Sequence, residues 1–242
     1  MEYPIDLLSS GLAFLIVTAG STLQGSVGFG LGLVCVPLLV LLDPVFIPGP
    51  LLLAALLLNL LISIREIRSV DKKSLFWAVP GRIVGAALGA TLLTIVPRQN
   101  LSLLFGAMVL LAVLISLAGI HLTLTPMNIL GAGTISGLMG TTSAVGGPPL
   151  ALVYQKQKGP HIRGTLAVIF IFGAVISILS LMIIGRFGLK EIQAGVILFP
   201  GIVAGFLISN QTARILDRGL TRVAVLTASS ISGMIVILMN IF

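Results

Sequence analysis

Charge is scarce in this chain. Of 242 residues only 9% are Asp, Glu, Lys or Arg, while 57% are hydrophobic. A soluble domain carries about 25% charged residues, so there are too few here to cover a water-facing surface. That excludes a soluble enzyme, a nucleic-acid binder and a disordered chain. Cysteine is nearly absent as well. The single Cys35 excludes an internal disulfide, and with only two His, well apart, a zinc cluster has no ligands. No cofactor is expected. Basic residues are also missing from the start: Met1–Asp6 is acidic where a cleavable signal needs Lys or Arg. The first apolar segment is therefore expected to remain in the mature protein.

The sequence does contain long apolar runs. A membrane span needs about 20 mostly apolar residues, and six segments qualify: 46–64, 74–96, 99–119, 164–184, 192–209 and 220–241. Two further apolar regions are interrupted. Residues 5–42 are broken by Gln24-Gly25-Ser26-Val27-Gly28-Phe29-Gly30, and residues 128–155 by the run from Gly137 to Pro149. Glycine admits backbone that other residues avoid, and proline removes a donor, so neither region reads as one continuous helix.

The chain also repeats itself. An offset of 120 aligns Asp71 with Glu191, Pro80 with Pro200, Gly81 with Gly201, Gly85 with Gly205 and Arg98 with Arg218. An offset of 115 aligns the broken regions, Ser21 with Ser136, Gly25 with Gly140, Ser26 with Thr141 and Gly32 with Gly147. Small residues four apart form a ridge on which helices approach closely.

Charge sets the topology. If each broken region is a hairpin that enters and leaves on one side, ten Lys or Arg share a face: Arg65, Arg68, Lys72, Lys73, Lys156, Lys158, Arg163, Arg214, Arg218 and Arg222. The other face holds Arg98, Arg186 and Lys190. The positive-inside rule makes the first face cytoplasmic and puts both termini outside. The expected fold is an all-α polytopic membrane protein with two inverted repeats. Each repeat is a glycine-broken helical hairpin plus three transmembrane helices. The first spans 1–120 (hairpin 5–42) and the second 121–242 (hairpin 128–155). Such repeats with interrupted helices are the plan of many secondary transporters, whose site lies at the breaks.

The residues able to hold a ligand follow from this plan. Gln24, Ser26, Thr141, Thr142 and Ser143 are small polar groups beside glycine at the expected hairpin tips, with Gly28 and Gly146 offering backbone N–H groups. Such groups at a half-helix start favour an anion. The alternative is that the hydroxyls bond nearby carbonyls and only join helices. Arg82 is the only ionisable residue placed well inside a span. A buried charge by default marks a site, and its planar fork suits an oxyanion. The alternative is an arginine that snorkels or bonds backbone carbonyls. Asn59 and Asn210 are expected as caps or interfacial contacts near span ends, His121 and His161 as solvated loop residues, and Trp77 as part of an aromatic belt. All seven acidic residues fall in the N-terminal stretch, in loops or at span ends, so no mid-membrane carboxylate is available as a proton relay or sodium ligand.

The runs Gly-Ser-Val-Gly-Phe-Gly-Leu-Gly-Leu-Val-Cys-Val-Pro (25–37) and Gly-Leu-Met-Gly-Thr-Thr-Ser-Ala-Val-Gly-Gly-Pro-Pro (137–149) resemble the paired signatures of the TauE/SafE sulfite-exporter family. Pro80-Gly81 with Gly85 and Gly89 is similar to that family's third-helix pattern. The resemblance implies a multi-pass transporter of the bacterial inner membrane for sulfite, sulfoacetate or a related organosulfur anion. Gly146-Gly147 is a shorter glycine run than the second signature often has, which leaves the substrate open. The expected partners are a small anionic substrate and membrane lipid, with no nucleic acid; a homodimer is left open. An anion channel, or a proton- or sodium-coupled carrier of another anion, would fit the same residues. An intramembrane enzyme would lack a base, a nucleophile pair and a metal cluster.

Overall fold

A computed structural model describes residues 7–118, 122–157 and 159–216, together with 234, 235 and 238. Among the described residues there are nine α-helices and no strand: α1 (Leu7–Val27), α2 (Leu31–Leu42), α3 (Gly49–Arg65), α4 (Lys72–Ile95), α5 (Leu101–Leu117), α6 (Pro126–Ser143), α7 (Gly147–Tyr154), α8 (Gly159–Ile183) and α9 (Leu189–Leu216). The expected span 220–241 and the basic residues Lys158, Arg218 and Arg222 lie outside the described residues, as does His121.

Five segments are long and apolar enough to cross a membrane: Leu8–Val27, Lys72–Ile95, Arg98–Leu117, Gly159–Ile183 and Leu189–Ala213. Their outward faces carry large apolar side chains such as Phe76, Ile83, Ile95, Leu114 and Ile183, all exposed, a surface that only lipid or another apolar body would cover. The expected span 46–64 is shorter than a full crossing. It folds as the 17-residue α3, about 25 Å long at the helical rise.

Both interrupted regions break where glycine was expected to break them, but later in each run. Gly28 and Gly30 have φ of 100° and 123°, a region nearly closed to residues with a Cβ, and the chain turns there from α1 into α2. Ala144 ends α6 in the left-handed conformation, with φ 62° and its N–H on the Gly140 carbonyl. The helix starts are capped in the usual way: Asp71 accepts from the Lys73 N–H at α4, and Thr125 accepts from the Asn128 N–H at α6, with Pro126 following.

Two helix pairings dominate the packing, and both use the repeated glycine ridge. Along α4, Gly81 meets the backbone of Leu130 and Thr134, Gly85 meets Thr134 and Leu138, and Gly89 meets Leu138 and Thr141 of α6. Along α9, Gly201 meets Phe14 and Val17, Gly205 meets Thr18, Ser21 and Thr22, and Ser209 meets Gly25 of α1. Residue numbers rise together in both pairs, so each pair is parallel. A Cβ at Gly85 or Gly205 would collide with the facing backbone. Each interrupted region thus packs on the ridge of the other half of the sequence.

The two interrupted regions differ in reach. The end of α1 is level with the basic end of the bundle, where Arg65 and Arg163 bond the Gly25 and Ser26 carbonyls. The return helix α2 has 12 residues and α7 only 8, about 18 Å and 12 Å long.

Candidate functional site

The two breaks meet. A Cβ at Gly32 would strike the Ala144 carbonyl, and one at Gly147 would crowd Phe29. Beside this junction lies a cavity of about 40 Å³, lined by the start of α2, the α6–α7 turn, Gln24, Asn59, Arg82, Phe170 and Ala174. A water needs roughly 10–15 Å³ on this measure, so the space holds about three waters or one compact anion.

Arg82 lies ten residues into α4, roughly 15 Å from its start, and is 3% exposed. Its Nη1 donates to Ser136 Oγ at 2.7 Å and to the Ser136 carbonyl at 3.3 Å. Ser136 Oγ in turn donates to the Gly146 carbonyl. The guanidinium stands 5.6 Å from the Phe170 ring centre, a cation–π distance. Its Nε is buried with no hydrogen-bond partner, and among the described residues no carboxylate pairs with it. Glycine makes the niche: a Cβ at Gly173 would collide with Nε, Nη2 and Cζ, and one at Gly146 would sit 2.9 Å from Nη1.

The same lining contains an amide pair. Gln24 Nε2 donates to Asn59 Oδ1 at 2.9 Å, Gln24 Oε1 accepts from the Leu31 N–H at 3.2 Å, and Asn59 Nδ2 donates to the Ala55 carbonyl at 2.7 Å. Asn59 is buried and lines the cavity, which corrects the expectation of a cap or interfacial contact. The signal available in sequence was a lone amide in an otherwise apolar run.

Of the expected site residues, Arg82 and the tip residues Gln24 and Gly146 come together at the cavity. The others do not line it. Thr142 and Ser143 donate to carbonyls within their own helix, at Leu138 and Met139, and Thr141 pairs with Ser177 at 2.7 Å. Ser26 donates to the Thr22 carbonyl and pairs with Thr212. These hydroxyls fall in the last turn of a continuous helix, where back-bonding to the preceding turn satisfies Ser26, Thr142 and Ser143. Gly28 faces Ile162 and Arg163 instead.

A second arginine cluster closes the basic end. Glu66 Oε1 accepts from Arg163 Nε at 3.0 Å and from Arg65 Nε at 3.2 Å. Arg65 also donates to Ser209, Asn210 and the Gly25 carbonyl, and Arg163 to the Ser26 carbonyl. Arg65 is the last residue of α3 and Arg163 lies in the first turns of α8, so these two are partly or fully buried rather than loop residues as expected. They satisfy the last carbonyls of α1. Sequence spacing gave no hint that Glu66 would join them. Among the described residues no group of three or more His, Cys, Asp or Glu could hold a metal.

A family model described as sulfite exporter TauE/SafE matches residues 12–236. The chain belongs to the TauE/SafE family. It is therefore a multi-pass membrane transporter, not an enzyme, and the family implies a small anionic substrate. Neither the curated proteins nor the solved structures give a significant match.

Proposed function

We propose that this TauE/SafE protein is a carrier that exports a small sulfur oxyanion from a bacterial cell across the inner membrane, with Arg82 holding the anion at the junction of the two breaks. The observation that carries this reading is the buried guanidinium in the cavity, with no carboxylate and with Nε unpartnered. A charge left so in an apolar interior is costly unless a ligand completes it. The cavity suits sulfite better than sulfoacetate, whose additional carbon and carboxylate groups exceed the space of about three waters.

In this reading residues 1–120 and 121–242 are inverted repeats, each beginning with a glycine-broken hairpin, with the Arg65–Arg163 end in the cytoplasm. The parallel pairings α4–α6 and α9–α1, built on equivalent glycine ridges, support the repeat, and the balance of basic residues supports the orientation. Movement of the ridge-packed pairs against each other would expose the site alternately. Export needs no coupled ion, because a membrane potential of 100 mV contributes about 2.3 kcal/mol per charge. The test is sulfite flux in proteoliposomes. Flux that saturates, shows counterflow, follows an imposed potential and falls at least tenfold in Arg82→Lys supports the carrier. Flux that does not saturate and shows no counterflow makes the protein a channel, and flux unchanged in Arg82→Lys removes Arg82 from the site.

A further inference from the structure

The charges and hydrogen-bonding groups around the cavity bear on the ionic form of the anion. The argument rests on the cavity being the anion site. Among the described residues Arg82 supplies the one formal charge in the lining, a single positive, and no carboxylate lines the space. The helix ends change this little: α2 and α7 begin at the cavity with N–H groups, while α6 ends beside it with carbonyls, and these partial charges oppose each other. Arg65 and Arg163, at the basic end, are engaged by Glu66 and the α1 carbonyls. A singly charged anion against Arg82 is thus neutralised, and a doubly charged one leaves a net negative charge in an apolar interior, which is expensive.

The amide pair points the same way. Gln24 Nε2 and Asn59 Nδ2 each spend one N–H on a protein acceptor, leaving a second. Gln24 Oε1 and Asn59 Oδ1 each accept one bond and have capacity for another. The guanidinium itself offers only donors, and the amide pair offers donors and acceptors. A monoprotonated oxyanion matches both: its bare oxygens go to Arg82 and its proton to an amide oxygen. A fully ionised oxyanion has no proton to give and sets its oxygens against those amide oxygens.

We infer that the site takes its oxyanion as the monoprotonated monoanion and discriminates against dianions of the same size, with Gln24 and Asn59 as the specificity-determining pair. The exported anion would then carry its own proton, and no proton relay through the protein is required.

The test is calorimetric titration of the purified full-length protein with sulfite, nitrate and sulfate across the second ionisation of sulfite. Affinity for total sulfite should be constant below that ionisation and fall about tenfold per pH unit above it, as mass action on the monoanion requires. Nitrate, a fixed monoanion without a proton, should bind more weakly than sulfite at acid pH, with no comparable pH dependence. Sulfate should bind at least tenfold more weakly than sulfite at acid pH. Asn59→Leu should cost sulfite more than nitrate. Sulfite affinity that stays flat or rises with pH, or sulfate binding equal to sulfite, overturns the charge-state inference while leaving the site in place. Absence of binding by all three anions, or affinities unchanged in Arg82→Gln, overturns the site and the inference together.

Discussion

The two buried arginine sites of this chain are built on opposite principles. At the basic end, Arg65 and Arg163 share the Glu66 carboxylate and bond the Gly25 and Ser26 carbonyls. At the junction of the breaks, Arg82 has one serine, one aromatic face and an unpartnered Nε. The first cluster is complete and fixes where α1 ends. The second is incomplete, and its surroundings are glycine and apolar side chains that leave room for a ligand. The lesson is that burial of a charge does not by itself mark a ligand site in a membrane protein; what distinguishes one is burial without a countercharge.

This contrast can be broken by mutation. The largest effect is expected at Glu66. Glu66→Gln removes the carboxylate shared by one buried and one partly buried guanidinium and should destabilise the protein by about 3 kcal/mol, read as a lowered thermal midpoint of the purified protein. A midpoint equal to wild type would mean that the cluster is not structural. Next comes Gly173→Ala, whose Cβ would occupy the guanidinium niche. Anion affinity should fall about tenfold, corresponding to 1.4 kcal/mol, and calorimetric titration checks it; unchanged affinity would show that Arg82 binds from another position. Thr141→Val should sharpen the comparison by doing less. It removes the bond to Ser177, costs about 1 kcal/mol of stability and leaves anion affinity as it was. The smallest effect concerns Asp71. Burial raises its pKa, but the Ser74 hydroxyl and the N–H groups of Lys73 and Ser74 outweigh this and hold it below the usual carboxylate value. A depressed pKa gives stabilisation that is present above the unfolded pKa and lost as pH falls through the folded one. Asp71→Asn keeps the cap, so stability at neutral pH should change by under about 1 kcal/mol, while the loss of stability on acidification should be shallower than in wild type.

Much of this was legible in the sequence. Hydropathy located four of the five long spans, the fifth, Leu8–Val27, reading as one arm of a broken region; glycine and proline located both breaks, and a lone charge in an apolar run pointed to Arg82. The glycine ridge was visible as a spacing of four. What the sequence could not supply was the set of contacts that depend on distant residues. Gln24 meets Asn59 across 35 positions, and Glu66 meets Arg163 across 97. The hydroxyls of Thr142 and Ser143 fall outside the cavity lining for a local reason: α6 continues to Ser143, so the preceding turn supplies them with acceptors. Gly173 is one of 28 glycines, and only the position of the guanidinium distinguishes it. The expected helix 220–241 lies outside the described residues.

The central claim is that Arg82 is kept incomplete for an anion. The most direct measurement compares the thermal midpoint of wild type and Arg82→Gln, each with and without sulfite. In wild type, sulfite at a hundred times its Kd should stabilise by about 2.7 kcal/mol. Arg82→Gln should show no such shift, and its unliganded midpoint should equal or exceed that of wild type, because a buried unpaired charge has been removed. A variant that still gains the full shift from sulfite, or whose unliganded midpoint falls as far as that of Glu66→Gln, would contradict the account and make Arg82 a structural arginine.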